Sequence, residues 1–346
     1  GSASILLGNG DGTFQPRIDL PTGGQPSWVA VADVNGDGAP DLLIADLGSS
    51  AKSVWLGRGD GTFQPVQDPR SHIHGNAIAT GDFNRDGKLD VAAGRDSLFV
   101  YPGNGEGVFG SRIYVDATPF VDYVTIVAAD FNDDGILDLC GSIPLPLGAD
   151  RLLVPPSFTF PLYMGRGDGT FGPRQDLYTE AEPWFVTVGD FNRDQRLDLV
   201  TVSAIASSVS VLPGRGNGTF GTDMLYPTGG HPWYMDSADF NRDGHIDLVT
   251  ANKDGNTVSV FLGRGDGTLN PKIDYPETDA DFVIAADFNS DGNPDLVVGA
   301  APDYFTGSVD VLLGRGDGRF VPLSQGPISR ARVIWMAAGD LNRDGN

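Results

Sequence analysis

The sequence has 346 residues and a net charge of −23, with 46 Asp and Glu against 23 Lys and Arg. A nucleic-acid partner is nearly excluded, because proteins that bind phosphates need a basic patch. Only four of the 46 acidic residues are Glu, which leaves 42 Asp, a residue that favours turns over helix interiors. Gly (48) and Pro (24) are also frequent, but 40% of the chain is hydrophobic. We therefore expect a folded, turn-rich and mainly non-helical protein.

The single cysteine, Cys140, excludes an internal disulfide. No apolar run approaches 18 residues, and no signal peptide opens the chain, so we expect no membrane insertion. Gly1-Ser2 has the form of a cloning scar, in which case an export signal would not be visible.

A nine-residue pattern, Asp-apolar-Asn-x-Asp-x-x-x-Asp, recurs every 48 to 60 residues, with its ninth position missing from the last copy. Its seven copies start at Asp33, Asp82, Asp130, Asp190, Asp239, Asp287 and Asp340. A second pattern, Gly-x-Gly-(Asp/Glu/Asn)-Gly-x-(Phe/Leu), also occurs seven times, at Gly8, Gly57, Gly103, Gly165, Gly214, Gly263 and Gly314. Two patterns in register over the whole chain indicate a repeat architecture.

Each unit predicts four short strands. In the first complete unit they are 28–32, 41–45, 53–56 and 63–67, with the aspartate loop after the first strand and the glycine turn after the third. The predicted fold class is all-β, a seven-bladed β-propeller of four-stranded antiparallel blades. A linear stack of sheets is the structural alternative.

The two ends of the chain favour a closed ring. The chain opens with the third strand of a unit and stops at Asn346, inside the seventh aspartate loop. We therefore expect one propeller domain over residues 1–346, whose last blade is shared between residues 1–20 and 327–346. The second strand of that blade would follow Asn346. Ala or Gly precedes every loop, as the narrow centre of a ring requires.

The aspartate loops predict calcium sites, because carboxylate, amide and backbone oxygens at positions 1, 3, 5, 7 and 9 are the hard ligands that Ca²⁺ prefers. Six or seven ions are expected; Gln195, where the five other complete loops have Gly at position 6, predicts weaker binding in the fourth loop. Asx-turns without metal are the alternative. The candidate ligands are Asp33, Asn35, Asp37, Ala39 and Asp41; Asp82, Asn84, Asp86, Lys88 and Asp90; Asp130, Asn132, Asp134, Ile136 and Asp138; Asp190, Asn192, Asp194, Arg196 and Asp198; Asp239, Asn241, Asp243, His245 and Asp247; Asp287, Asn289, Asp291, Asn293 and Asp295; and Asp340, Asn342, Asp344 and Asn346.

These loops, spaced along nearly the whole chain, resemble those of the FG-GAP/VCBS repeat family, which is similar to the propeller head of integrin α subunits. The wording Phe-Gly and Gly-Ala-Pro of that family is only partly present, for example at Phe109-Gly110. The resemblance implies a secreted or cell-surface calcium-binding propeller used in adhesion, carbohydrate binding or attachment to other domains.

In a meander, the aspartate loops and glycine turns share one face, and the connectors between blades lie on the other. On that second face, aromatic residues begin the inner strands, and we expect a carbohydrate or protein ligand there. The candidate ligand-binding residues are Trp28, Trp184, Trp233, Tyr234 and Trp335. Packing between blades is the competing interpretation. Insertions at 143–160 and 301–307 lie on the same face and are either binding elements or neutral loops.

The predicted function is a non-catalytic binding or adhesion module, with no catalytic residues and no cofactor besides calcium. One alternative is a polysaccharide lyase or hydrolase that uses His72, His74 or His231 with a tyrosine as acid and base. A second is a structural spacer of a larger secreted protein. Four Arg-Gly-Asp tripeptides fall in the glycine turns, where turn formation explains them better than adhesion.

Overall fold

The computed structural model describes residues 1–48, 53–116, 123–143, 159–300, 307–323 and 335–345. These residues form 26 β-strands and one short 3₁₀ helix, Pro69–Ser71. The predicted insertion at 143–160 and the smaller one at 301–307 fall mostly outside this part of the chain, as does Asn346. No helix among the described residues is long and apolar enough to cross a membrane.

Six antiparallel sheets of four strands follow one another along the chain, and we number them blades 1 to 6. Blade 1 consists of β3 (Pro26–Ala32), β4 (Asp41–Asp46), β5 (Val54–Gly57) and β6 (Phe63–Pro65), close to the predicted bounds. The other blades are β7 (Ala77–Gly81), β8 (Asp90–Gly94), β9 (Leu98–Tyr101) and β10 (Ile113–Asp116); β11 (Thr125–Ala129), β12 (Asp138–Ser142), β13 (Thr159–Tyr163) and β14 (Gln175–Tyr178); β15 (Phe185–Gly189), β16 (Asp198–Ser203), β17 (Ser208–Leu212) and β18 (Met224–Pro227); β19 (Pro232–Ala238), β20 (Asp247–Asn252), β21 (Thr257–Phe261) and β22 (Ile273–Pro276); and β23 (Ala280–Ala286), β24 (Asp295–Ala300), β25 (Ser308–Gly314) and β26 (Phe320–Pro322).

The second strand of every blade is buried along its whole length. These strands carry near-continuous apolar runs, such as Leu42–Ala45 in β4, because neighbouring blades cover both of their faces. The fourth strands, such as β14 and β22, alternate or face solvent. The core therefore lies between the blades, and the fourth strands form the solvent-exposed outer rim.

The first strands of the blades lie side by side in chain order: β3 contacts β7, β7 contacts β11, and so on to β23. Glycine turns join neighbouring blades, since Gly169 N–H donates to the Phe83 carbonyl at 3.0 Å and Gly218 N–H donates to the Phe131 carbonyl at 2.9 Å. The same bond closes the ring, because Gly12 N–H donates to the Phe288 carbonyl of blade 6 at 3.1 Å. Turns and aspartate loops thus share one face.

The prediction of seven four-stranded blades is wrong in number, because the described residues form six. The N-terminal residues form a two-stranded sheet of β1 (Ser2–Ile5) and β2 (Ile18–Pro21), between blades 6 and 1. Residues 335–342 line the same cavity as β1, but residues 335–345 form no strand. The physical reason is that a first strand bonds only to the second strand of its blade, and the described residues form no second strand at this place.

Candidate functional site

The seven aspartate loops share one hydrogen-bonded conformation. In the first loop, Asp33 accepts the N–H of Gly36 at 2.8 Å and that of Gly38 at 2.7 Å, and Asn35 Oδ1 accepts Asp37 N–H at 3.0 Å. The seventh loop repeats this with Gly345 N–H on Asp340 at 3.1 Å. The first, third and fifth side chains therefore fold the loop as nested Asx-turns.

The ninth aspartate has a separate structural role, which the sequence analysis missed. Asp41 is fully buried; its Oδ2 accepts Val34 N–H at 2.9 Å and its Oδ1 accepts Gly57 N–H at 2.8 Å. Both bonds recur in the other five blades, on Asp90, Asp138, Asp198, Asp247 and Asp295. This residue ties its loop to the glycine turn of the same blade. In the sequence, this link could have been inferred from the fact that each complete aspartate loop is followed by one glycine turn in the same unit.

Burial raises the pKa of all six ninth aspartates, and repulsion from the first and fifth carboxylates of the same loop adds to it. The pKa of Asp138, of Asp247 and of Asp295 is raised to about 6. Like charges therefore face each other in every complete loop, and this repulsion costs folding free energy at neutral pH.

Two backbone positions in each loop lie in the left-handed region. Position 4 is a residue with a Cβ in six loops, such as Arg85 with φ 60° and Ser290 with φ 59°. Position 6 is Gly except at Gln195, whose φ of 67° and N–H bond to Asp190 at 2.9 Å match the glycine loops. The fourth loop thus keeps its fold at the expense of backbone strain.

The donor set of each loop suits calcium chemically, because every oxygen that accepts one N–H keeps a second lone pair. The described residues contain no group of three or more His, Cys, Asp or Glu side chains arranged to hold a metal ion. Each loop therefore contains the predicted ligand types, but its carboxylates accept backbone N–H groups and are not gathered into a metal-binding arrangement. The calcium assignment stays a prediction.

The Arg-Gly-Asp segments form turns. Asp60 Oδ1 accepts both Thr62 N–H at 2.9 Å and Thr62 Oγ1–H at 2.6 Å, and Asp168 and Asp266 repeat these contacts with Thr170 and Thr268. These aspartates are occupied in stabilising their own turns.

Five aromatic rings meet at the centre of the ring of blades, and we call them the central aromatic cluster. Trp28 stacks on Trp335 with 3.4 Å between ring centroids, Phe185 lies 4.3 Å from Tyr234, and Phe282 lies 5.7 Å from Trp335. The rings contact one another, as packing between blades requires. A ligand role for Trp28, Tyr234 and Trp335 stays a prediction.

The other two candidate residues form a separate pair. Trp184 and Trp233 are half-buried, with centroids 4.6 Å apart, and Lys253 Nζ lies 5.8 Å from the Trp233 ring. Trp233 Nε1 is buried and lacks a hydrogen-bond partner among the described residues. This pair offers apolar surface, but the Trp233 Nε1 donor is enclosed by the protein.

A pocket of about 320 Å³ brings together groups that the sequence left unconnected. Its walls include His72, His74, Tyr101 and Arg112. Burial lowers the pKa of His74 and raises that of Tyr101. His231 is not part of it; its ring bonds Asp254 at 2.6 Å.

The family to which the chain belongs follows from a match to its sequence repeats. A model of the FG-GAP-like repeat matches residues 1–44, 33–93, 82–140, 198–250, 239–298 and 287–346. The chain belongs to the FG-GAP-like repeat family. The matches leave out residues 141–197, which contain the 143–160 insertion and the strained Gln195.

This FG-GAP-like propeller is similar in fold to solved structures of low sequence identity. One is an Agrocybe aegerita lectin that recognises non-reducing terminal N-acetylglucosamine, with a TM-score of 0.61, 17% identity, and 98% of this chain and 92% of the other covered. Another is a functionally unknown protein from Desulfotomaculum acetoxidans, with a TM-score of 0.59, 15% identity and coverages of 92% and 90%. No curated protein matches in sequence. These likenesses show the fold alone.

Proposed function

We propose that this propeller is an extracellular, non-catalytic binding module that carries calcium in its aspartate loops and binds a carbohydrate or protein ligand on the opposite face. The observation that carries the proposal is that six loops repeat the same carboxylate, amide and carbonyl oxygens beside a buried aspartate, whose pKa is raised by burial and further by the neighbouring carboxylates.

Calcium would relieve the repulsion within each loop. The residues that would hold it in blade 1 are Asp33, Asn35, Asp37 and Asp41, with the carbonyl of Ala39. An ion at this place would neutralise the exposed loop carboxylates and add to the link between the first two strands. Loops of this chemistry in extracellular modules bind with dissociation constants on the order of 10⁻⁴–10⁻³ M, which matches the millimolar calcium outside cells.

The calcium half of the proposal is tested by thermal unfolding after chelation. We expect millimolar Ca²⁺ to raise the midpoint relative to EDTA, because an ion that binds only the native state stabilises it by mass action. Elemental analysis of dialysed protein should find several ions per chain. Equal midpoints in Ca²⁺, Mg²⁺ and EDTA would contradict calcium binding and leave the Asx-turns as purely structural features.

The ligand half draws on the Trp184–Trp233 pair and on the lectin of similar fold. An aromatic face with a nearby polar group is suited to stacking on a sugar ring or on a peptide side chain. A glycan array probed with the intact chain tests this, with Trp233→Ala as the variant and Tyr178→Ala, an exposed aromatic on the outer rim, as the matched control. Binding that survives Trp233→Ala would remove the pair from the site. Silence on the array and with protein ligands would favour the spacer function.

The histidine pocket supports a second candidate, a lyase acting on acidic polysaccharides. His74, whose pKa is lowered by burial, would remove the proton next to a uronate carboxylate, and Tyr101 would protonate the leaving glycosidic oxygen as the C=C bond forms. Arg112 would pair with the carboxylate. Release of unsaturated sugars from polyuronates, lost in Tyr101→Phe, would establish it; absence of turnover would eliminate it.

A further inference from the structure

The histidine pocket on blade 2 differs in charge from the chain as a whole. The chain carries 46 acidic and 23 basic residues. None of the described residues that line this pocket is acidic, and they include Arg70, Arg112 and two of the four histidines. Cationic side chains gathered without a carboxylate, on a chain of net charge −23, indicate a site that attracts anions.

The Arg112 guanidinium is held in place by aromatic rings and not by a carboxylate. Its Cζ lies 4.5 Å from the centre of the Phe99 ring and 5.4 Å from that of Tyr114, and its Nη2 donates to Tyr114 Oη at 3.3 Å. It forms no ion pair with a described residue, whereas Arg70 donates to Asp68 through Nε at 3.0 Å and Nη2 at 2.7 Å. The planar N–H fork of Arg112 therefore remains available to an oxyanion.

The register of the two outer strands places an aromatic surface beside this arginine. Phe99 in β9 lies opposite Tyr114 in β10, and Tyr101 follows Phe99 by two positions, so the three side chains share one face of blade 2. Phe99 and Tyr101 are buried, but Tyr114 is 56% exposed and its ring centroid lies 4.8 Å from that of Phe99. An exposed tyrosine ring fixed beside a guanidinium is suited to stack on a sugar ring.

The histidine side of the pocket is also positively charged. Burial lowers the pKa of His74, and repulsion from Arg95 and then from His72 lowers it further. Arg95 Nη1 lies 3.3 Å from His74 Nε2. The carboxylate of Asp96 lies 3.9 Å from Arg95 Nε but is 80% exposed, so water weakens this ion pair. The positive potential of the pocket is therefore only partly cancelled, and a bound anion would offset the remainder.

We propose that the histidine pocket is a binding site for a small acidic saccharide, whose carboxylate or sulfate group pairs with Arg112 and whose ring stacks on Tyr114. The volume of about 320 Å³ is at the lower end of the range of about 300–1,000 Å³ for small-molecule sites, which favours a ligand of one or two sugar units over a protein surface. The inference rests on the proposed binding function, to which it adds a ligand class and a site apart from the Trp184–Trp233 pair. It requires no proton transfer and is independent of the lyase candidate.

The test is a calorimetric titration of the intact chain with three oligosaccharides of equal length, which carry carboxylates, sulfate esters or no charge. We expect at least one charged oligosaccharide to bind at least about tenfold more tightly than the neutral one, and to bind more weakly as the NaCl concentration rises. Arg112→Gln should weaken this binding by at least about tenfold. Arg319→Gln, at an exposed arginine of blade 6, is the matched control and should leave it unchanged. The two charged oligosaccharides show which anionic group the pocket prefers.

Equal affinities of the native chain for charged and neutral oligosaccharides would overturn the proposal without any variant. Charged-oligosaccharide binding that survives Arg112→Gln would also overturn it. An acidic peptide that binds more tightly than both charged oligosaccharides would overturn the saccharide assignment. Glycan binding that is lost in Trp233→Ala but kept in Arg112→Gln would overturn this site and leave the proposed binding function intact.

Discussion

At the scale of single residues, the fifth and ninth aspartates of a loop have different roles despite their equal charge. Asp90 is buried and accepts Phe83 N–H at 3.1 Å and Gly103 N–H at 2.8 Å. Asp86 is exposed, and its Oδ1 accepts Lys88 N–H at 3.0 Å. Without any ion, the buried Asp90 therefore contributes more to the stability of the fold than the exposed Asp86 does.

We expect Asp90→Ala to lower the free energy of unfolding by about 1–3 kcal/mol for each N–H group that it leaves buried without a partner. The loss should be present in EDTA and in Ca²⁺, as measured by urea denaturation. Asp86→Ala should cost less than about 1 kcal/mol in EDTA and more in Ca²⁺. Asp60→Ala, in a turn, is the control. Equal losses for Asp86→Ala in both buffers would argue against calcium in this loop.

The left-handed backbone of Gln195 costs free energy, because at a φ of 67° the Cβ lies too close to the following carbonyl oxygen. We expect Gln195→Gly to raise the free energy of unfolding by about 1 kcal/mol. Gln195→Ala keeps the Cβ and should give no gain, so it serves as the control. Denaturant titration of the three proteins measures the difference; a gain in the alanine variant would point to the side chain instead of the backbone.

Glu277 supplies a pH dependence outside the aspartate loops. Burial, and then repulsion from Asp310, raise its pKa to about 7 from an ordinary value near 4.5. The folded state therefore binds the proton more tightly than the unfolded state does. The stabilisation that Glu277 contributes is therefore fully present below about pH 4.5 and is lost as the pH rises toward 7.

Glu277→Gln should remove this part of the slope, which is at most about 1.4 kcal/mol per pH unit. The measurement is the free energy of unfolding of both proteins between about pH 4.5 and 7.5. Asp310→Asn should reduce the slope partly, because it removes only the repulsion. A wild-type curve parallel to that of Glu277→Gln would contradict the raised pKa.

At the scale of elements, inner strands of neighbouring blades are held together mainly by side chains. Asp236 in β19 is an exception, because its Oδ2 accepts Ala285 N–H of β23 at 2.9 Å while its Oδ1 accepts Ser237 N–H at 2.8 Å. Other blades carry Ala, Val, Thr or Ile at this place. The carboxylate thus joins blades 5 and 6 near the axis.

We expect Asp236→Ala to speed the exchange of the Ala285 amide hydrogen by at least about tenfold and to lower the free energy of unfolding by about 1–3 kcal/mol. Thr187→Ala, at the same place in blade 4, is the matched control. Unchanged exchange at Ala285 would show that packing alone holds these two strands.

At the scale of the whole molecule, a net charge of −23 repels itself in the compact state. Salt should therefore raise the thermal midpoint of the protein in EDTA, because the screening length falls from about 30 Å at 0.01 M to about 8 Å at 0.15 M. In Ca²⁺ the same change of NaCl concentration should raise it less. A salt effect of equal size in both buffers would indicate that no ions neutralise the loops.

The sequence alone determined the repeat, the strand order of each blade and the residues of the aspartate loops, because these are local patterns of fixed period. β3 to β6 begin within two residues of their predicted starts for this reason.

Only the tertiary structure decided the rest. The clamp made by the ninth aspartate, the mutual packing of Trp28 and Trp335, the pocket around His72 and His74, and the two-stranded sheet in the seventh position depend on contacts between distant segments. The pattern of a strand predicts which of its side chains are buried, but the residues that cover them belong to a neighbouring blade that is distant in sequence.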